Sequence, residues 1–357
     1  MSAVVHQLVA GFRRGDAISN EAILVRDLCA AHGVASDIRC PVHAADVSDR
    51  SLVRDVETLP AEVRPDDVAL LHLSIGSRCN RIFPSLPCRR AILYHNVTPP
   101  RFFERLSPAT AQVLADGLAQ AAELRDAAHG VWADSAFNAE ELRAMGYRDP
   151  KVLPLLVEED FGSGEVDPGM RARLSDPPLA NLLFVGRLAP NKRHDRLLRV
   201  FSAFQRGVRP DSRLVVAGGG GGAEAYKALL LGTAYALVAK NVLFTDFIPA
   251  PQLRACYATA SAFVCMSDHE GFCAPLLEAM AWRVPVFAVA AGAVPETLDG
   301  AGVLFKEGTR PEVMAETIHR VLSDRALRDA VVRKQDERLA RFRARDEWAE
   351  LRRLLDA

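Results

Sequence analysis

At 357 residues, 49% hydrophobic and 25% charged, the chain has the make-up of a soluble globular enzyme and the length for two domains that each bury a core. A formal net charge of -1 gives no general electrostatic reason to expect nucleic acid as a partner. Its seven cysteines (Cys29, Cys40, Cys79, Cys88, Cys256, Cys265, Cys273) are scattered and odd in number, without a C-x-x-C pair, which is the usage of a reduced cytoplasmic protein.

No apolar run reaches the ~18 residues needed to cross a bilayer, and the opening residues lack a signal peptide's basic region, although contact with a membrane surface stays open. The chain begins with VVHQLVAG, a strand, then the loop GFRRGDAIS and the helical pattern NEAILVRDLCAAHG, which closes on Gly33. Strand, glycine-bearing loop and helix open a doubly wound unit. SDIRC is extended, DDVALLHLSIGS is a strand ending in His72, and CRRAILYHNVTPP is a strand ending in His95 and Asn96. A helical segment from Ser107 to His129 follows, then a strand, a helix capped by Ser135 or Asn138, and KVLPLLV. From Glu158 to Pro178 periodicity lapses, which places a linker there. The expected organisation is an N-terminal domain over 1–160, a linker over 161–178 and a second domain over 179–341.

The second half restarts the same alternation. ANLLFVGRL empties into the loop Ala189 to His194 with a helix behind it, and SRLVVAG runs into five glycines, Gly218 to Gly222, before another helix. NVLFTDFIP, SAFVCMS, RVPVFAVAAG and AGVLFKEG are further strands. The tail from Arg325 to Ala357 is helical and charged with mixed signs, which reads as a solvated face. This is an α/β chain of two Rossmann-like doubly wound domains, expected to face each other across a ligand cleft.

The organising stretch is SDHEGFCAPLLEAMAWRVPVFAVAAGAVPETL, from Ser267 to Leu298. Pro275 opens a helix, so Glu270 falls on a loop and Glu278 in the first helical turn. Gly271 to Ala274 then aim backbone N–H groups into the crevice at a strand's carboxyl end, where a phosphate settles in an open α/β sheet. Gly186-Arg187 ends another strand and Lys192 lies shortly beyond, so two cations can converge on phosphate oxygens. No D-x-D triplet occurs, the nearest substitutes being Asp268-His269-Glu270 and Asp55-Val56-Glu57. Without an obvious metal cage, cationic side chains and helix N-termini would stabilise a leaving diphosphate. Glu270 and Glu278 suit the vicinal hydroxyls of a sugar or a ribose, and together these features call for a nucleotide sugar.

VGRLAPNKRHDRLL and EGFCAPLLEAM resemble the two signatures of GT-B retaining glycosyltransferases of family 4, strongly from about Asn181 to Phe305. The resemblance implies transfer of a hexose from a UDP- or GDP-sugar to a hydroxyl of a glycan, lipid-linked or small-molecule acceptor, with retention of configuration, no metal and no other cofactor. It implies that Arg187 and Lys192 hold the diphosphate beside Gly186, with Gly15 approaching it closely. Glu278 would take the ribose, and Glu270 the transferred sugar together with the backbone of Gly271, Phe272 and Cys273. Many relatives have glycine where this chain has Cys273. Ile248 would meet the base, His95 the reacting sugar, and Asp16 and Asn96 the acceptor side. The family's C-terminal tail, about 342–357 here, would cross back onto the first domain. The family setting also implies polysaccharide or envelope assembly in the cytoplasm, with a peripheral membrane contact left open.

Two other readings compete. Gly218-Gly219-Gly220-Gly221-Gly222-Ala223 fits the G-x-G-x-x-A template of a nicotinamide-dependent oxidoreductase, with Asp246 ending the next strand. That reading gives Arg187, Lys192, Glu270 and Glu278 no joint task. A non-catalytic sugar-nucleotide binder would keep the donor residues and lose turnover. Simpler roles also exist for single residues: Gly15 as a turn, Glu278 complementing a helix dipole, Arg187 in a surface ion pair, and His72 as the strand-end histidine in place of His95.

Overall fold

The computed structural model describes residues 3–158, 161–219 and 224–356. The chain divides into two compact units, Met1–Glu158 with Asp346–Ala357, and Glu159–Arg345.

In the first unit the strands are β1 (Val4–Val9), β2 (Ala35–Cys40), β3 (Arg54–Asp55), β4 (Val68–Leu73), β5 (Arg89–Tyr94), β6 (Gly130–Ala133) and β7 (Lys151–Val152). They form a seven-stranded sheet in the order β3-β2-β1-β4-β5-β6-β7, and every pairing is parallel. Parallel strands covered on both faces read as continuous apolar runs, and β4 and β5 are buried over Ala69–Leu73 and Ala91–Tyr94. The helix over Ala17–Ala31 begins three residues before the expected NEAIL segment and ends as foreseen, with Gly33 at φ +73 and the Val34 N–H donating to the Cys29 carbonyl. Ser135, not Asn138, caps the helix Ala136–Ala144, its hydroxyl accepting from the Asn138 N–H.

The charged tail is not solvated throughout. Its last helix, Glu347–Leu355, belongs to the first unit and buries Leu351, Leu354 and Leu355 against Val5, Leu70, Leu93 and Trp132. Three buried leucines, each worth about 1.5–3 kcal/mol, outweigh the charge pattern of the surrounding residues.

The second unit holds β8 (Ala180–Val185), β9 (Ser212–Ala217), β10 (Val242–Asp246), β11 (Ala262–Cys265), β12 (Val286–Val289) and β13 (Val303–Phe305). The order β10-β9-β8-β11-β12-β13 is again all parallel. Within the stretch read as a linker, Pro168–Ser175 folds as a helix, capped by Asp167 accepting from the Met170 N–H and carrying Pro168 in its first turn. In both sheets chain order reverses beside the first strand of the unit, between β1 and β4 and between β8 and β11. Such a switch point leaves a crevice outside the carboxyl ends of the strands.

Candidate functional site

The site in the second unit is built on the switch point between β8 and β11. Beyond β8 come Gly186 and Arg187, then the short 3-10 turn Pro190–Lys192. Beyond β11 comes the loop Met266–Ala274, which feeds the helix Pro275–Ala281. Asn191 stitches the two loops together, its carbonyl accepting from the Asp268 N–H at 2.8 Å and its side-chain amide donating to the His269 carbonyl at 3.2 Å. Arg193 adds an ion pair to Asp268 at 2.6 Å, and Arg196 a second at 2.8 Å. Asp268, the acid of the nearest D-x-D substitute, is therefore committed to two arginines. Asp55, of the other substitute, accepts from the Glu57 N–H in a turn of the first unit.

With the loops joined, Lys192 and Glu270 meet. The ammonium donates to the Glu270 carboxylate at 2.6 Å, and the other carboxylate oxygen accepts from the Ser267 hydroxyl at 2.6 Å. Glu270 is buried and Lys192 keeps a fifth of its side-chain surface open. Burial pulls the Lys192 pKa down, but the Glu270 carboxylate more than reverses this and holds the ammonium charged. Arg187 is exposed and makes no hydrogen bond or ion pair among the described residues. Glu278 is half-buried in the first turn of its helix, accepting from the Tyr257 hydroxyl at 2.7 Å.

Two glycines permit this arrangement. A Cβ on Gly218 would lie 2.3 Å from the Gly186 carbonyl oxygen, so β8 and β9 leave the sheet in backbone contact. A Cβ on Gly292, which sits at φ +55, would lie 2.3 Å from the Glu270 carbonyl oxygen, and the same oxygen accepts from the Ala293 N–H. The loop carrying Glu270 is thus seated directly on the turn after β12. Cys273 adopts φ +73, a conformation that costs a residue with a Cβ about 1–2 kcal/mol. A glycine at this position would carry no such cost. The N–H groups of Phe272, Cys273 and Ala274 have no protein acceptor among the described residues, while the Phe272 carbonyl accepts from the Thr297 hydroxyl. Ile248 is half-buried after β10, and its backbone N–H and carbonyl are without protein partners among the described residues. Of the glycine-rich oxidoreductase template, Gly220, Gly221, Gly222 and Ala223 lie outside the described residues. Gly218 is spent on the contact with Gly186.

The remaining candidates lie in the first unit. Gly15 is exposed at φ +87, its N–H donating to the Asn20 side chain, and Asp16 occupies the N-cap position of the following helix without a side-chain capping bond. His95 follows β5 and is fully surrounded. The Gln7 amide nitrogen donates to the Ala22 carbonyl and the Ser36 hydroxyl, which leaves its oxygen to accept from His72 Nε2–H at 3.0 Å. His72 Nδ1 is then an acceptor, and His95 Nε2–H donates to it at 2.9 Å. His95 Nδ1–H faces Asp134 at 3.0 Å and Glu21 at 3.3 Å. Only 1% of the His95 side chain is exposed, and both ring nitrogens are held internally. Burial alone lowers the His95 pKa, but Asp134 and Glu21, with a smaller contribution from Asp16, outweigh it and raise it to about 9. His72 is driven well below its ordinary value by burial and by the neighbouring His95 charge. These two histidines form one unit, a neutral imidazole bonded to an imidazolium. Asn96, at φ +77, is also buried and donates to Asn138 and Glu141.

Motif spacing pointed to Arg187, Lys192, Glu270 and Glu278. Asn191, Tyr257 and Gly292 went unnoticed, since each acts through a contact distant in sequence, and Ser267 because its bond to Glu270 depends on how the loop folds. The only local signal was Gly292 in a turn after a strand. No helix among the described residues is long and apolar enough to cross a membrane.

Residues 171–338 match the family model described as Glycosyl transferases group 1. A GDP-mannose-dependent alpha-(1-6)-phosphatidylinositol monomannoside mannosyltransferase of Mycolicibacterium smegmatis is 35% identical over 172 residues, 44% of each chain. A D-inositol 3-phosphate glycosyltransferase of Actinosynnema mirum is 33% identical over 213 residues, 56% of this chain and 50% of that one. The chain thus matches about half the length of these curated relatives. Among solved structures, Anabaena HepE in complex with UDP-glucose superposes with a TM-score of 0.74 at 17% identity, covering 99% of this chain and 98% of that one. WaaG, a glycosyltransferase involved in lipopolysaccharide biosynthesis, gives a TM-score of 0.68 at 14% identity, covering 97% and 96%. Residues 171–338 thus match the Glycosyl transferases group 1 model, and the chain as a whole shares the two-unit α/β fold of solved glycosyltransferase structures.

Proposed function

We propose that the protein transfers a hexose from a nucleotide-diphosphate sugar to an acceptor hydroxyl with retention of configuration, as a family 4 enzyme, using no metal. The observation that carries this reading is that the Lys192–Glu270 pair and the partnerless Arg187 both lie on the loops that leave the β8/β11 switch point. A diphosphate brings two negative charges to the spot where one cation is free and a second is shared with a carboxylate. Arg187 would grip phosphate oxygens through its planar fork, and Lys192 would follow them as a point charge. Glu278, braced by Tyr257, would accept from the ribose hydroxyls, and the backbone of Ile248 would meet the base. Glu270 and the free N–H groups of Phe272 and Cys273 would hold the transferred sugar. Phosphate oxygen departing on the same face would take the acceptor's proton as charge builds on the diphosphate, where Arg187 and Lys192 lower the barrier. Asp268 is tied to Arg193 and Arg196, and this supports cationic side chains over a metal as the counter-charge. Asp16 and Asn96 are assigned to the acceptor side.

The donor is read as a UDP- or GDP-sugar. UDP-glucose in HepE supports the first and the GDP-mannose-dependent relative the second. The names of the curated relatives support an acceptor bearing an inositol phosphate, in lipid-linked or free form, and a lipid-linked one would bring the protein to a membrane surface. The test is donor hydrolysis and transfer across UDP-, GDP- and ADP-sugars in wild-type, Arg187→Ala and Lys192→Ala proteins. Either substitution should lower kcat by ~10²–10³, and wild-type turnover in either would remove the diphosphate assignment.

A further inference from the structure

Beside Glu270 stand two thiols that the transfer reaction does not use. Cys265 ends β11 and is buried, whereas Cys273 is half-buried on the loop before the helix Pro275–Ala281. Both sulfurs and a carboxylate oxygen of Glu270 lie within 4.8 Å of one another. Around a tetrahedral zinc-class ion with metal–sulfur bonds of about 2.3 Å, two sulfurs stand roughly 3.8 Å apart, so the three donors need close by only about an ångström. Glu21, His72 and His95 form a second such group. There His95 turns one nitrogen to His72 and the other to Asp134, so its ring is already spent as a bridge.

We propose that Cys265, Cys273 and Glu270 form a binding site for a soft divalent cation of the zinc class, with water in the fourth position. Charge balance favours the exchange. Without the ion, two neutral thiols, the Glu270 carboxylate and the Lys192 ammonium sum to zero. When the ion binds, two thiolates, the carboxylate, the ammonium and the doubly charged cation again sum to zero, the two thiol protons leaving to solvent. The Lys192–Glu270 pair therefore need not break. The group that yields is the Ser267 hydroxyl, 2.6 Å from Glu270 and 3.4 Å from the Cys265 sulfur, which turns to donate to the new thiolate. Two thiolates select zinc-like ions over magnesium or calcium. The site itself is independent of the proposed reaction. Its consequence, competition with the donor, rests on the assignment of Glu270 to the transferred sugar.

The experiment is titration of the full chain with Co²⁺, its thiols kept reduced by a phosphine. A thiolate-to-cobalt charge-transfer band should appear, be chased by Zn²⁺ and not by Mg²⁺, and vanish in Cys273→Ser and in Cys265→Ser. The half-buried Cys273 keeps the test decisive if the Cys265 variant fails to fold by circular dichroism, and Cys88→Ser in the other unit should keep the band. Absence of the band, or its survival in Cys273→Ser, overturns the site. Saturating UDP- or GDP-sugar should weaken Co²⁺ binding at least tenfold. A band that is lost in Cys273→Ser but indifferent to every donor leaves the metal site standing and overturns the donor placement.

Discussion

The His72–His95 pair makes the first unit's stability depend on pH in a way that can be worked out group by group. His95 titrates near 6.5 in an unfolded chain and near 9 in the folded unit, a gap worth about 3 kcal/mol. Because the folded pKa is the higher, that contribution is complete below pH 6.5 and is lost as pH rises towards 9. Other groups act outside the upper part of this window. Burial raises Glu141 from 4.5 to about 7, so its ionisation costs stability between those values. His72 stays neutral when folded, so the unfolded chain alone takes a proton below about 6.5, and stability falls on the acid side. Buried thiols such as Cys29 are raised from 9.0 to about 11, which adds losses only above pH 9. Burial also raises Asp134, which is bonded to His95 and loses stability in the same direction as pH rises, so from pH 7 to 9 the slope belongs to the His95–Asp134 pair and should approach about 1.4 kcal/mol per pH unit. The assay is urea denaturation at fixed pH values, followed by tryptophan fluorescence in a Trp282→Phe background so that Trp132 and Trp348 of the first unit report. In His95→Gln the slope between pH 7 and 9 should disappear, and stability at pH 6.5 should drop by up to about 3 kcal/mol, Asp134 and Glu21 having lost their counter-ion. A flat wild-type profile from pH 7 to 9, or an unchanged slope in the variant, would refute the imidazolium assignment.

Three further outcomes follow from the site in the second unit. Transfer should survive EDTA; turnover abolished by chelation and restored by magnesium or manganese would sink the cation-only account. Gly292→Ala should cost clearly more stability than Gly300→Ala in thermal melts, since both residues have positive φ but only at Gly292 does the new methyl meet backbone, the Glu270 carbonyl at 2.3 Å. Equal losses would mean that this contact is not tight. Cys273→Gly trades a left-handed strain of about 1–2 kcal/mol for about 0.5–1 kcal/mol of glycine entropy, so the melting temperature should hold or rise slightly, and a marked fall would show that the thiol's packing dominates.

The alternation of strand and helix was legible because parallel strands are apolar along their whole length and their helices carry a distinct period. What escaped was whatever depends on a few residues. The helix Pro168–Ser175 rests on an Asp167 cap and one buried leucine, Leu174, too little for periodicity to register. The last helix hides three core leucines among arginines and glutamates. In the site, Glu270 and Lys192 were legible because two motifs with complementary charges recur at the same end of neighbouring strands. Their supports were not, because Asn191 and Gly292 act between loops, and a sequence does not state which turns touch. His95 shows the same limit from the other side. Its place at a strand end could be read, but its ring orientation is set by Gln7, His72, Glu21 and Asp134, which arrive from three other strands and a helix.

Arg187 and Lys192 were paired by spacing alone, yet their surroundings give them different roles. Lys192 already has a carboxylate at 2.6 Å in a largely buried setting, so its charge is neutralised before any ligand arrives. Arg187 stands in solvent with its charge uncompensated and only weakly felt through water. In the proposed reaction, long-range attraction for a diphosphate would therefore come from Arg187, whereas Lys192 would respond once water is displaced and the phosphate competes with Glu270 at short range. In that proposed exchange Glu270 would be released from full neutralisation as the diphosphate takes up Lys192, and its freed lone pairs are what a sugar hydroxyl needs. On the proposed reading, the same ion pair that keeps Glu270 tolerable in a buried loop would thus also keep it in reserve until a donor is bound.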